Sequence, residues 1–512
     1  MHFGIVIAFC ALSGVLLTLV SLKQMQILQL SSYSYSGVFA WLKRTKFDFL
    51  MRYFALSFFS FASMAVFVAC FSETGWIAYF GFTFYVILAA LFFAVVSKQK
   101  GKTPLKFTHR IWRLIAVDFV FNVGLSFVAV WFTKDTFISY TLMGVTPIFS
   151  FLTVMLAHVA LLPIEKIIAN TFVVKAVKKL DATKPLVVGI TGSYGKTTAK
   201  KVLATFLHTK YRVFASPHSY NTPMGLSKCI NEEYNGEEIF IAEMGARRVG
   251  DIKYLKKIFK PQYAIVTGIG NQHLETFKSK ENIISEKLSV LDEVKYAVAN
   301  GDVPVIAERA VGKADLAGQN GVATYNDVKT DINGTSFTLT IDGQSVEVRT
   351  RLVGDHIPAV VTICAAMAYK LGVSLKKIKE AAEKLPFVDH RLEVLRSGEF
   401  IIFDDSYNSN PIGASNALRI LDTYQGTKVI ITPGFVELGQ DTEKCLVELG
   451  EHIAKVCDYA FLLGPNAETI KRGMGTNENV TIVSSLAEAM DKLKGITPPM
   501  AVLFENDLPD NY

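Results

Sequence analysis

The stretch GITGSYGKTTAK, residues 189–200, follows an apolar β-forming run and precedes the helix-like AKKVLATFLHTKY. A glycine turn between strand and helix aims backbone N–H groups and the positive helix end at anionic oxygens. In that frame Gly192, Ser193, Tyr194 and Gly195 would form a cradle. Lys196 would reach the terminal phosphates of a nucleotide, and the Thr197 or Thr198 hydroxyl would help hold Mg2+. The pattern is shorter than the usual G-x4-G-K-[ST], because Ile190 stands where its first glycine would be. The strand–turn–helix setting carries the nucleotide reading; the tripeptide alone would not.

Other strand ends supply candidate partners. IFIAEMG brings Glu243 to the C-terminal edge of a strand, where ligands of open α/β sheets bind. Glu243 is therefore a candidate Mg2+ ligand, and the apolar run before it disfavours a solvated surface glutamate. AIVTGIGNQHLETF (264–277) repeats the arrangement and places His273 after a glycine turn, open between a structural and a metal-binding role. The strand EFIIFDD runs into DDSYNSNP, which is an Asx-rich turn or part of a site.

Stepping outward, 512 residues are too many for one ordinary domain. Half of them are hydrophobic, and the excess lies before about residue 165. Five stretches, approximately 2–22, 53–71, 76–97, 114–133 and 137–162, suffice to span, since a crossing helix needs about 20 apolar residues. The first lacks a basic leader and is followed by four more, so it reads as an uncleaved helix. Basic residues crowd the loops between spans one and two (Lys23, Lys43, Arg44, Lys46, Arg52) and between spans three and four (Lys98, Lys100, Lys102, Lys106, Arg110, Arg113). Positive loops stay in the cytoplasm. The N-terminus is then outside, and everything after span five is on the cytoplasmic side of a plasma membrane. These loops also account for much of the net charge of +7, so no nucleic-acid partner is inferred. Asp118 interrupts span four and is either a functional carboxylate or one near a helix end that snorkels or pairs with a neighbouring basic residue. Residues 24–44 read as an interfacial segment. Six scattered cysteines, with no CxxC pair, read as reduced thiols.

The succession TGSYGKTT, AEMGA, GIGNQHLETF, DHRLEVL and FDDSYNSNP resembles the Mur ligases, and among them the MurF type, over residues 185–512. Composition, apart from the resemblance, gives residues 1–165 as membrane helices and 166–184 as a basic helical linker. The resemblance implies a fold and a domain map for the rest. Residues 185–391 form the central α/β P-loop ATP-binding domain, and 392–512 a smaller Rossmann-like C-terminal domain. It implies that Lys196 and Thr197 bind ATP phosphates and Mg2+, with Glu243 on the same ion. His273 would ligate a second Mg2+, joined by Lys287 as a CO2-derived carbamate. It places Asn221 near the active site, with Thr222 where a second asparagine is usual. Arg391, Asp405, Tyr407, Asn408 and Asn410 would close over the nucleotide.

The implied activity is ATP-dependent amide-bond formation through an acyl phosphate in peptidoglycan precursor synthesis. Its partners would be an amino acid or dipeptide such as D-Ala-D-Ala, a UDP- or lipid-linked muramyl peptide, the bilayer and other cell-wall synthesis enzymes. Three departures stand out. Membrane helices replace the usual UDP-gripping domain, GDHIPAVVTICAAMAYKLG lacks an asparagine expected soon after its histidine, and the chain ends without a KGSR-like stretch. The rival readings are a P-loop membrane transport ATPase and a scaffold with a degenerate ligase fold.

Overall fold

The computed structural model describes residues 3–44, 50–52, 54–55, 57–58, 61–62, 87, 104–131, 146–270, 274–407, 411–435, 438, 441–476 and 479–507. The chain divides into two compact units, Met1–Ala169 with Pro509–Tyr512, and Asn170–Leu508.

Among the described residues, three helices are long and apolar enough to cross a membrane: Cys10–Leu30, His109–Ala129 and Thr146–Thr183, the last of which runs past Ala169. Expected spans two and three lie almost wholly outside the described residues. The first helix continues to Leu30, and a separate helix, Tyr35–Arg44, follows the break, so residues 24–44 are divided between two helices. Asp118 does not snorkel. It is fully buried, and Asn122 donates to its Oδ2 at 2.9 Å and to Thr18 Oγ1 at 3.2 Å. Ser126 donates to Ser13 Oγ at 3.0 Å one turn along the same seam. One amide thus holds Oδ2 of the carboxylate, while Oδ1 is buried without a hydrogen-bond partner among the described residues, a costly arrangement for a polar group removed from water. Expected span five and the linker share one helix, Ser150–Thr183, which contains Pro163.

In the second unit, the first sheet has nine strands in the order β2-β3-β1-β4-β5-β6-β7-β8-β9. They are β1 (Leu186–Thr191), β2 (Val213–Ala215), β3 (Ile239–Glu243), β4 (Tyr263–Val266), β5 (Tyr296–Asn300), β6 (Asp315–Gly318), β7 (Ala323–Asp331), β8 (Gly334–Ile341) and β9 (Gln344–Thr350). Pairing is parallel through β7 and antiparallel from β7 to β9. The continuous apolar runs of β1, β3 and β4 are buried on both faces, as helix-covered parallel strands require. By contrast β8 alternates buried and half-buried residues. Asp342 and Gly343, both at positive φ, close the two-residue β8–β9 hairpin, a turn that Asp-Gly favours. The helix His356–Lys370 packs in one core cluster with the phosphate-loop helix Lys196–Leu207.

The second sheet has the order β10-β11-β15-β12-β13-β14. Its strands are β10 (Glu393–Ser397), β11 (Phe400–Tyr407), β12 (Thr427–Thr432), β13 (Tyr459–Leu463), β14 (Val480–Val483) and β15 (Met500–Asp507). Only β10 runs antiparallel. The strand read from EFIIFDD is present as β11.

Candidate active site

Strand order reverses at β1, which lies between β3 and β4. A crevice beyond the carboxyl end of such a strand is where open α/β sheets bind ligands. Gly192–Gly195 occupies that place. A Cβ on Gly192, at φ 154°, would stand 2.2 Å from Thr267 Oγ1, so the loop can lie this close to β4 only without a side chain. Ser193 N donates to Gly268 O at 2.6 Å, and Thr267 Oγ1 donates to Tyr194 O at 2.5 Å. The Tyr194 ring covers Gly268, where a Cβ would come within 2.4 Å of it. The turn after β4 therefore shapes the phosphate loop.

Lys196 Nζ donates to Gly192 O at 2.8 Å and Ser193 O at 3.2 Å, curling over its own loop. Burial pushes this ammonium down to about 8, with Glu243 opposing the shift and Arg391 adding to it. Thr197 Oγ1 donates to Glu243 Oε2 at 3.1 Å, and Asn221 Nδ2 donates to Glu243 Oε1 at 3.2 Å. Thr198 is buried beneath the loop. Thr222 caps the helix Pro223–Glu232 by accepting from Gly225 N at 3.2 Å, a role a hydroxyl fills well.

Lys287 reads in the sequence as a surface lysine, yet it is 3% exposed, and its Nζ donates to Ala246 O at 3.3 Å. Desolvation, then the Lys196 charge, lowers it to about 7, with Glu286 and Asp251 opposing. Glu286 is itself occupied, accepting from Gly250 N at 2.7 Å and Ile252 N at 2.6 Å.

From the second sheet, Asp405 accepts from Leu392 N at 3.1 Å, and burial raises it to about 6 against the lowering pull of Arg391. Both sheets line one cavity of about 870 Å3, which brings together Ser193–Thr198, Asn221, Glu243, Lys287, Arg391 and Asp405. His273, Asn408 and Asn410 lie outside the described residues, as does the Tyr407 side chain.

Sequence reasoning missed several residues of this cavity. Asp355 pairs with Arg419 through two hydrogen bonds, and Asn416 Oδ1 accepts from Asp355 N at 3.0 Å. His356, lowered to about 4 by burial, lies 3.4 Å from Asn416 Nδ2. Behind the cavity lining, also missed, Lys200 Nζ sits 2.9 Å from Glu243 Oε2. Its i+4 spacing from Lys196 was a readable signal; the Asp355 and Asn416 contacts, 61 residues apart, had none.

The donor set suits a magnesium nucleotide: a hydroxyl and a carboxylate 3.1 Å apart beside a phosphate-type loop. Among the described residues no three His, Cys, Asp or Glu side chains converge.

Models of the Mur ligase middle domain and of the Mur ligase glutamate ligase domain match residues 190–368 and 390–505, together more than half the chain. This chain belongs to the Mur ligase family of enzymes. Among Mur ligase relatives, the UDP-N-acetylmuramoyl-tripeptide–D-alanyl-D-alanine ligase of Borreliella burgdorferi is 32% identical over 54% of this chain and 62% of its own length. The Escherichia coli enzyme of the same name is 29% identical over 57% and 68%. The chain thus spans about two thirds of the curated relatives it matches. The MurF ligase of Thermotoga maritima, solved in complex with ADP, has a TM-score of 0.60 and 27% identity over 66% of this chain and 80% of that one. MurF from Acinetobacter baumannii, with a TM-score of 0.61 and 23% identity over 66% and 77%, shares the fold.

Proposed function

We propose that this Mur ligase uses ATP to join an amino acid or dipeptide, D-Ala-D-Ala on the MurF resemblance, to the peptide of a muramyl precursor at the inner face of a membrane. The observation that carries the reading is the one cavity lined by Lys196, Glu243 and Lys287, from the first sheet and its helices, and by Arg391 and Asp405, from the second sheet and the segment leading into it.

Phosphoryl transfer from ATP to an acceptor carboxylate would give an acyl phosphate, which the incoming amine attacks with release of phosphate. Catalysis of that kind is mainly positioning and charge stabilisation. The phosphate loop and Lys196 would hold and orient the transferring group, while Arg391 and Asp405 would act from the opposite wall of the cavity. Thr197 and Glu243 would hold Mg2+, which when bound supplies positive charge to the phosphate oxygens. Lys287 supports the carbamate reading on physical grounds. A lysine lowered to about 7 by burial has a free amine available to CO2 near neutrality.

Three apolar helices in place of a UDP-gripping domain favour a lipid-linked acceptor whose peptide hangs into the cytoplasm. Confinement to a bilayer would raise the effective concentration of enzyme and acceptor. The test is a competition in detergent with full-length protein, ATP and labelled D-Ala-D-Ala, offering UDP-linked and polyprenyl-linked muramyl peptide together. Preference for the lipid form supports the proposal. Equal or better use of the UDP form, unchanged without residues 1–165, would leave the helices as an anchor. No ATP-dependent product with either acceptor would defeat the ligase reading itself.

A further inference from the structure

Lys200 is a charge that the phosphate-loop reading leaves over. It lies one turn beyond Lys196 on the helix Lys196–Leu207 and is 3% exposed, next to a Glu243 that is 1% exposed. Its Nζ is 2.9 Å from Glu243 Oε2 and 2.5 Å from His218 O. His218 holds φ at 47°, a left-handed conformation uncommon among non-glycine residues though less so for histidine. The loop carrying Asn221 is thus pinned to Lys200 at one point and to Glu243 at another. Glu243 Oε2 accepts from both Thr197 and Lys200, and Oε1 accepts from Asn221. A buried carboxylate needs such compensation, and here a fixed ammonium supplies it.

We propose that Lys200 is the resident counter-cation of Glu243, and that it makes divalent-metal entry depend on nucleotide. The inference rests on Glu243 and Thr197 as the metal-holding pair. A divalent ion approaching that pair meets a positive charge held from two sides, which cannot drift away as a water would. In a poorly solvated site this repulsion is strong. Nucleotide phosphates bring the negative charge that offsets it, so the metal enters as its nucleotide complex. Lys200 is a positioning residue: it acts through Glu243 and is not assigned a contact with the reacting atoms.

The experiment measures Mn2+ binding to full-length protein in detergent by electron paramagnetic resonance, with and without ADP, for the native chain, Lys200→Met and Lys200→Arg. Without ADP the native and Lys200→Arg proteins should bind Mn2+ weakly. Lys200→Met should gain affinity by about tenfold or more. With ADP present the difference should narrow. A Lys200→Met protein that still binds ADP but gains no Mn2+ affinity overturns the proposal. So does a variant that merely melts earlier while its nucleotide-free Mn2+ affinity stays put, the behaviour of a lysine that only fills space. If Lys200→Met does not fold, Lys200→Gln removes the charge while keeping an N–H donor, and the same comparison decides. ADP binding by the native protein tests the nucleotide reading separately.

Discussion

Replacing Lys287 by methionine should make the protein more stable while abolishing ligation. The native chain buries this amine at 3% exposure and lowers it from 10.5 to about 7. Between those values the unfolded chain binds more protons than the folded one, so native stability rises as pH climbs from about 7 towards 10.5. The cost of burying the lysine is therefore fully present below about 7. Linkage puts it at about 4 kcal/mol near pH 7 and about 2 kcal/mol near pH 9. Methionine has nearly the same length and no charge to desolvate. It forfeits the hydrogen bond to Ala246 O, worth about 1 kcal/mol. The net gain is then about 3 kcal/mol near neutrality and about 1 kcal/mol near pH 9. Thermal melts of both proteins in CO2-free buffer across this range read the difference as several degrees of Tm, narrowing as pH rises. A variant less stable at every pH, or a gain that does not change with pH, would refute the desolvation argument. Retained ligation would refute the assigned role instead.

Lys196→Ala removes the cation expected at the terminal phosphates, and nucleotide-dependent ligation by purified protein should fall by about two orders of magnitude or more. Gly268→Ala places a methyl where the Tyr194 ring now lies. ADP affinity by calorimetry should drop about tenfold, with the circular dichroism spectrum unchanged. Arg419→Ala breaks the pair with Asp355, but those side chains are 45% and 56% exposed. It should cost less than about 1 kcal/mol in denaturant melts. A reporter fused after Lys184 should be cytoplasmic and one inserted at Glu73 external; finding both on one side would reject the five-span topology.

The sequence made legible what local pattern controls. The apolar runs of β1, β3 and β4, the Asp-Gly hairpin and the glycine loop before Lys196 each carry their cause within a few residues. Glu243 could be placed because a strand's end is a local feature and its edge is where α/β ligands gather. Lys287 was legible only through resemblance, because its helix spacing says nothing of the walls that bury it. The Asp118 network needed three-dimensional packing as well: Asn122 is one turn away, but Thr18 comes from another helix. His356 and Asn416 meet across 60 residues, where no periodicity reaches.

The way Lys196 bends back onto Gly192 O and Ser193 O has a bearing on affinity. Its ammonium has already traded much of its hydration for carbonyl oxygens. A phosphate oxygen arriving at Nζ would exchange one acceptor for another instead of stripping water from a mobile side chain. The rotamer entropy of a lysine, about 2 kcal/mol in rotamer freedom, has largely been spent in folding. The carbonyls it releases remain available to rebond as the loop settles around the ligand. On the proposed reading, recognition at this loop would be a swap between partners of similar strength, which would favour rapid exchange of nucleotide over tight retention.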